Sequence, residues 1–143
     1  MDLEQALQIA AEAHRGQCKN SEPFILHPVR VMLACATPHE RIVAILHDVV
    51  EKSAWTLDDL RAEGLPDDQV EAVDAMSRRD GEDYLAFVTR AGRNPIARQV
   101  KIADLRDNLE MASRPDASSE TRQKSAKYRH ALDLLAEAGP GLP

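Results

Sequence analysis

Apolar residues recur along most of the chain at the three- and four-residue spacing of amphipathic helices. Segments with this spacing open near Asp2, Pro28, Pro38, Thr56, Pro66, Asn94 and Glu120. No segment shows the alternation of apolar and polar residues that is typical of a β-strand. The pattern therefore predicts an all-α fold, a bundle of about seven helices without internal repeats or linkers.

One segment, Arg41 to Glu51, is apolar around so much of its circumference that a helix there must be nearly surrounded by protein. At 3.6 residues per turn, Ala44, His47, Asp48 and Glu51 share the remaining face of this helix. Ionised groups are rarely buried without partners or a metal, because the loss of hydration is costly. An imidazole beside a carboxylate inside the protein makes a metal site the first hypothesis.

A second helix, beginning at Asn94-Pro95, carries Lys101, Asp104 and Asn108 on one polar stripe, with Asp107 beside it. His27 lies near the start of another helix. The positive end of that helix disfavours imidazolium, so we expect a neutral ring, as a metal ligand requires.

The interior-facing groups form a set of two imidazoles and two carboxylates: His27, His47, Asp48 and Asp104. Mixed nitrogen and oxygen ligands suit manganese, iron or zinc, and a bound divalent ion makes water a better nucleophile. The alternative is that the histidines are hydrogen-bonded core or capping residues and the acids are surface charges. Lys19, Arg30 and Lys101 are candidate phosphate contacts, although Lys19 and Arg30 equally fit ordinary solvated cations. We expect Tyr128 to pack in the core.

Length and composition fit one domain over residues 1–138, with residues 139–143 as a frayed tail. The chain has 24 acidic and 18 basic residues, which argues against a broad surface for nucleic acid or anionic membranes. Two cysteines form no CxxC pair, and no signal or membrane-spanning segment is evident, so a reduced, cytoplasmic location is expected. No feature of the sequence sets the oligomeric state.

The order His27-Pro28, His47-Asp48 and Lys101 to Asp104 closely resembles the H…HD…D signature of the HD-domain metal phosphohydrolases. More narrowly, the chain is similar to the hydrolase domain of the RelA/SpoT family and its small stand-alone relatives. This similarity extends over about residues 5–135 and rests on four segments: AHRGQ at 13–17, PFILHP at 23–28, LHDVVE at 46–51 and the stripe Lys101, Asp104 and Asn108.

The resemblance implies an HD-type helical bundle that removes the 3′-pyrophosphate from (p)ppGpp. It implies one divalent ion, usually Mn²⁺, bound by His27, His47, Asp48 and Asp104. In the family a Glu-Asp pair one turn beyond the HD residues assists the attacking water, and Glu51 holds its first position, as the candidate catalytic residue. Asn108 is implied near the ribose or phosphates, with Lys19 and Lys101 as further candidates for substrate binding. The family's separate synthetase domain is missing, so no synthesis is expected.

Two departures from the family pattern bear on function. Lys52 replaces the second acid of the Glu-Asp pair. This replacement could impair proton transfer, because an ammonium cannot accept a proton. Alternatively, Lys52 points away from the site or binds a phosphate. The loop from Gln17 to Phe24 is one residue shorter than the family's and keeps a single basic residue, Lys19, so weak recognition of guanine is expected. The function is therefore a (p)ppGpp hydrolase, a hydrolase of another nucleotide phosphate ester, or a metal- and nucleotide-binding sensor without turnover.

Overall fold

Ten helical segments follow one another through residues 1–138, the part of the chain that the computed structural model describes. The segments are α1 Leu3–Ala13, α2 Leu26–Ala34, α3 Pro38–Leu46, α4 Val49–Lys52, α5 Leu57–Ala62, α6 Asp67–Ala75, α7 Tyr84–Gly92, α8 Pro95–Ala112, α9 Ser119–Gln123 and α10 Ser125–Ala138. The predicted all-α bundle is confirmed. The tail predicted at residues 139–143 lies outside the described residues.

The helix predicted through Glu51 is not continuous, and this prediction was wrong. α3 ends at Leu46, His47 and Asp48 form a turn, and α4 follows. The Ala44 carbonyl, which an uninterrupted helix would pair with the Asp48 N–H, instead accepts from both the backbone N–H and the ring Nδ1 of His47. A second break at Lys124 separates α9 from α10, so the structure has more helical segments than predicted.

A short hairpin also departs from the prediction of helices and loops alone. Strands β1 (Cys18–Lys19) and β2 (Glu22–Pro23) pair antiparallel, and their turn residues Asn20 and Ser21 have φ values of 50° and 63°. Two consecutive left-handed residues are typical of tight hairpin turns. Strands of two residues are too short to show an alternating pattern in the sequence.

α3 lies at the centre of the molecule and packs against α1, α2, α6 and α8. Four consecutive residues near its end, Val43 to Leu46, are completely buried, as its apolar circumference predicted. A smaller core of Val88, Leu105, Ala131 and Leu135 joins α7, α8 and α10, and Tyr128 packs against it as predicted. The two cores hold α8 between them.

Side-chain caps fix where the helices begin. Asn94 accepts hydrogen bonds from the backbone of Ile96 and Ala97 and starts α8, the 18-residue helix that carries the polar stripe. Thr56 and Asp59 form a capping box at α5, so Asp59 has the structural role expected from its position in the first turn. No helix within residues 1–138 is long and apolar enough to cross a membrane.

Candidate metal centre

The four residues predicted as metal ligands lie together. α2 carries His27, the turn between α3 and α4 carries His47 and Asp48, and α8 carries Asp104. Asp104 Oδ1 is 2.8 Å from His27 Nε2 and 3.4 Å from His47 Nε2. Asp48 Oδ2 is 3.1 Å from His47 Nε2 and 3.9 Å from His27 Nε2. Both imidazoles therefore direct the same nitrogen at both carboxylates.

The hydrogen bond at the other ring nitrogen fixes the tautomer of His47. Its Nδ1 is 2.5 Å from the Ala44 carbonyl oxygen, which can only accept, so Nδ1 carries the proton. In the neutral ring, Nε2 then presents a lone pair to Asp48 and Asp104. Although both carboxylates lie close, neither has the alignment of a hydrogen bond, and Nε2 is a buried polar atom without a hydrogen-bond partner. A buried lone pair that faces carboxylates requires a cation.

His27 is held in the same way, by a residue to which the sequence analysis assigned no role. Its Nδ1 is 2.7 Å from Asp107 Oδ2 and its Nε2 is 2.8 Å from Asp104 Oδ1, so each ring nitrogen faces a carboxylate. With an ion in the centre, Asp107 would keep the proton on Nδ1 and leave Nε2 as the ligand atom. A carboxylate behind an imidazole is the usual outer support of a metal-ligating histidine. The only signal in the sequence was the position of Asp107 beside the polar stripe of α8.

The pKa values of the two histidines show that positive charge is favoured between the carboxylates. Burial lowers the pKa of His47, but Asp48 and Asp104 more than reverse this effect and raise it well above the ordinary value. Burial likewise lowers the pKa of His27, and hydrogen bonds to Asp104 and Asp107 produce a net increase. The helix terminus expected to disfavour imidazolium is outweighed by these carboxylates.

The carboxylates of the cluster stay ionised. Burial raises the pKa of Asp48, but the neighbouring His47 brings it down to about 2. Burial also raises the pKa of Asp104, and the charge of Lys101 leads the opposing effects that hold it well below its ordinary value. Two permanent negative charges thus face two ring nitrogens inside the protein.

The donor set and its spacing fit a divalent ion. One atom each from His27, His47 and Asp104 lies within 4.8 Å of the others. Ligands about 2.1 Å from a common ion are roughly 3 to 3.5 Å apart at neighbouring positions, close to most of the spacings observed here. Asp48 extends this set through its contact with His47. The residues present can therefore hold one ion, with imidazole nitrogen and carboxylate oxygen as its ligands.

The predicted substrate-binding residues form a chain along α8. Lys101 Nζ donates to Asp104 Oδ2 at 3.0 Å, and Asn108 Nδ2 donates to Asp104 Oδ1 at 3.4 Å. Lys19, from the hairpin, donates to Asn108 Oδ1 at 3.0 Å. Lys101 is 6% exposed, and its ammonium is paired with Asp104, so it orients that carboxylate. Lys19 and Asn108 lie one turn further along the helix.

Arg30, a candidate phosphate contact, is already paired with acids. Its guanidinium donates to both oxygens of Asp107, at 2.7 and 3.2 Å, and to Glu22 at 2.7 Å. This fork fixes the carboxylate that holds His27. Arg30 therefore supports the metal centre from behind.

Glu51 is bonded to a neighbouring loop and not to the four converging side chains in the described part of the chain. It is exposed, and its Oε1 accepts a hydrogen bond from the backbone N–H of Arg78 at 2.5 Å. Within residues 1–138 no hydrogen bond or ion pair joins Glu51 to the four, and its Oε2 has no hydrogen-bond partner. The turn at His47 and Asp48 interrupts the helix, so the shared stripe predicted for a straight helix does not form.

Lys52 and Lys19 lie over the same aromatic ring. Their Nζ atoms are 5.3 and 6.0 Å from the centroid of Phe24. The Lys52 carbonyl accepts from Gln17 Nε2 at 2.8 Å, which ties α4 to the loop that precedes the hairpin. The ammonium of Lys52 thus lies against Phe24, whose ring centroid is 6.0 Å from that of His27.

His14, within the segment AHRGQ at 13–17, is a further buried residue. Its Nδ1 is 2.9 Å from Gln17 Oε1, and its ring centroid is 4.7 Å from that of Phe24. Burial is the main cause of its lowered pKa, so the ring is neutral at neutral pH. His14 thus supports Phe24 and Gln17 from beneath.

Comparison with known proteins finds relatives that match almost the whole chain, although no family model matches it. The GTP pyrophosphokinase of Streptomyces coelicolor is 29% identical over 148 residues, which cover 94% of this chain and 17% of that protein. The guanosine-3′,5′-bis(diphosphate) 3′-pyrophosphohydrolase of Vibrio cholerae is 30% identical over 154 residues, 92% of this chain and 22% of the relative. The chain therefore spans about a fifth of the length of these relatives.

A solved structure has the same fold. It is a metazoan orthologue of SpoT, described as hydrolysing ppGpp, and it aligns with a TM-score of 0.78 over 98% of this chain and 88% of its own. The sequence identity is 20%, so this likeness shows the fold alone. Together with the curated relatives, it confirms the resemblance predicted from the motifs: the chain is similar over nearly its whole length to the hydrolase domain of the RelA/SpoT family.

Proposed function

We propose that this protein is a metal-dependent phosphohydrolase of the HD type that removes the 3′-pyrophosphate from (p)ppGpp. The observation that carries the proposal is the convergence of two buried imidazole Nε2 atoms on the carboxylates of Asp48 and Asp104, a donor set that suits a bound cation. The names of the relatives, which include a 3′-pyrophosphohydrolase, support the substrate.

His27, His47, Asp48 and Asp104 are the residues that would hold one divalent ion, with Mn²⁺ favoured by the mixed donor set. Such an ion supplies Lewis-acid polarisation of a phosphoryl oxygen and lowers the pKa of water. The protein's part is orientation. Asp107 fixes the ring of His27, and the Ala44 carbonyl fixes that of His47, so both lone pairs stay aimed at one point.

Lys19 and Lys52 are proposed to bind the phosphate that reacts. Both ammonium groups lie over Phe24, and Lys19 also reaches Asn108, next to Asp104. Lys52 has no carboxylate within 4.0 Å in the described part of the chain, so its charge is available for an anion. In this role Lys52 binds phosphate at the position where the family has an acid.

Glu51 remains the proposed proton acceptor. The Arg78 N–H anchors one of its carboxylate oxygens, and the other is left without a hydrogen-bond partner among residues 1–138. A carboxylate that is anchored at one oxygen can accept a proton at the other. With Lys52 in place of the second acid, this role falls to Glu51 alone.

Release of pyrophosphate from (p)ppGpp by purified protein with saturating Mn²⁺ tests this function. We expect turnover by the wild type and its loss in Asp104→Asn, with Asp58→Asn on the surface of α5 as a matched control that keeps full activity. Turnover that is equal in wild type and Asp104→Asn would contradict the proposal.

A second candidate function is a sensor that binds metal and nucleotide without turnover. The presence of Lys52, which has no lone pair to accept a proton, favours it. Metal-dependent nucleotide binding without hydrolysis of any 3′-phosphorylated nucleotide would support this alternative.

A further inference from the structure

We propose that Arg78, Tyr84 and Lys127 form a second anion-binding subsite, which takes the diphosphate at the 5′ end of the nucleotide, remote from the bond that is cleaved. This inference rests on the proposed function for the identity of the substrate. The residues come from the loop before α7, the first turn of α7 and the first turn of α10. We refer to these three residues as the Tyr84 cluster.

The Tyr84 cluster is built around one aromatic ring. Lys127 Nζ is 4.2 Å from the centroid of the Tyr84 ring and 5.8 Å from that of Tyr128. The guanidinium carbon of Arg78 is 5.6 Å from the same Tyr84 centroid. Two cations thus share a single ring, an arrangement in which each repels the other unless an anion joins them.

A continuous row of contacts connects the Tyr84 cluster to the metal centre. The rings of Tyr84 and Phe87 have centroids 6.3 Å apart, and Lys101 Nζ is 4.6 Å from the Phe87 centroid. Lys101 in turn donates to Asp104. The cluster is therefore linked to the metal centre at the Lys101 end of the polar stripe.

The other end of the stripe already has its own cations. Lys19 contacts Asn108, seven residues beyond Lys101 on α8 and therefore roughly 10 Å away along the helix axis. Asp104 lies between the two ends. A nucleoside with anionic groups at both its 3′ and 5′ ends matches two cationic regions that flank one metal centre. A nucleotide phosphorylated at one end only would use just one of these regions.

No acid neutralises the Tyr84 cluster. Within residues 1–138, Lys127 has no carboxylate within 4.0 Å, and the Arg78 guanidinium makes only one hydrogen bond, from Nε to the Glu82 carbonyl. Both terminal nitrogens of that guanidinium are therefore available for a phosphate. Burial lowers the pKa of Lys127, and further cations nearby, Lys124 first among them, lower it more.

Two contacts hold the loop that carries Arg78 in place. Glu51 accepts the N–H of Arg78, and Arg90 donates to both oxygens of Glu82 at 2.9 Å. The segment that carries Arg78 is thus fixed at both ends before any ligand arrives. Preorganised cations bind an anion at a lower entropic cost than mobile ones do.

Binding of guanosine 5′-diphosphate, measured by calorimetry without added metal, tests the subsite independently of turnover. We expect Lys127→Met to weaken this binding roughly tenfold, because one charge-assisted contact is lost. Arg129→Met removes one charge from the exposed surface of the same helix and serves as the matched control, with unchanged affinity. Equal affinity in wild type and Lys127→Met, or no binding by the wild type, would overturn the inference.

Kinetics separate this inference from the proposed function. Lys127→Met should raise KM for guanosine 3′,5′-bis(diphosphate) and leave both kcat and the KM for guanosine 3′-diphosphate, which lacks the 5′ phosphates, unchanged. Turnover with an unchanged KM in Lys127→Met would refute the subsite and retain the hydrolase. Absence of turnover in every protein, together with weaker guanosine 5′-diphosphate binding in Lys127→Met, would refute the hydrolase and retain the subsite.

Discussion

Asp107 holds the imidazole of His27 through a hydrogen bond of 2.7 Å from Nδ1 to Oδ2, and this bond sets which nitrogen faces the metal centre. Replacement of Asp107 by Asn removes the charge that favours the Nδ1–H tautomer. We expect a 10- to 100-fold loss of Mn²⁺ affinity in Asp107→Asn, the usual cost of losing an outer carboxylate. Isothermal titration with Mn²⁺ measures this loss, and Asp133→Asn on the exposed side of α10 is the control.

Stability should depend on pH in opposite ways with and without metal. The folded-state pKa values of His27 and His47 are raised, so protonation of the two rings stabilises the metal-free protein. This stabilisation is fully present below pH about 6.5, the ordinary histidine pKa. It is lost as the pH rises through the pKa values of the folded protein. Mn²⁺ competes with those protons, so its stabilising effect should grow with pH. Thermal unfolding at pH 6 and pH 8, with Mn²⁺ or with a chelator, checks this expectation. A metal-induced shift in Tm that is larger at pH 6 would contradict it.

Lys52 is expected to bind phosphate, because its ammonium lies over Phe24 next to Lys19 and lacks a carboxylate partner. Lys52→Asp should therefore raise KM about tenfold or more, through a lost charge pair and new repulsion between anions. The Mn²⁺ content should stay the same. If Lys52→Asp instead raised kcat at an unchanged KM, the missing acid would be the limiting defect, and the gain would reach about 10² for restored general base catalysis.

The base of the nucleotide should be recognised weakly. The loop from Gln17 to Phe24 carries one basic residue, Lys19, and therefore has no arginine to stack on guanine. Rates for guanine and adenine nucleotides with the same 3′-phosphorylation provide the comparison. A preference for guanine above about a hundredfold, near 2.7 kcal/mol, would show that another part of the site reads the base.

The sequence predicted the helical class and the candidate ligands because both depend on local patterns. Lys101, Asp104 and Asn108 recur at helical spacing, so their shared face follows from geometry alone, and His47 and Asp48 are neighbours in the sequence. The turn at His47 could not be predicted in this way. It depends on a side-chain bond to the Ala44 carbonyl, which competes with the helix, and this competition leaves no mark on hydrophobic periodicity.

Contacts between distant segments could not be predicted from the sequence either. The pairs His27–Asp107 and Lys19–Asn108 join residues 80 and 89 positions apart, and only the packing of α2 and the hairpin against α8 brings them together. For Glu51, a contact predicted from local spacing is absent among the described residues. Its predicted stripe assumed a straight helix, whereas the turn places its carboxylate at the Arg78 backbone. Local periodicity thus identifies which residues share a face, and tertiary packing decides what that face meets.

The metal content of purified protein tests the metal centre most directly. We expect the wild type to bind one Mn²⁺ per chain, since the four converging groups form one donor set within the described residues. Asp48→Ala removes the carboxylate 3.1 Å from His47 Nε2 and should bind little or no Mn²⁺, while Asp58→Ala on the surface should bind as the wild type does. Undiminished metal in Asp48→Ala would contradict the assignment of the centre.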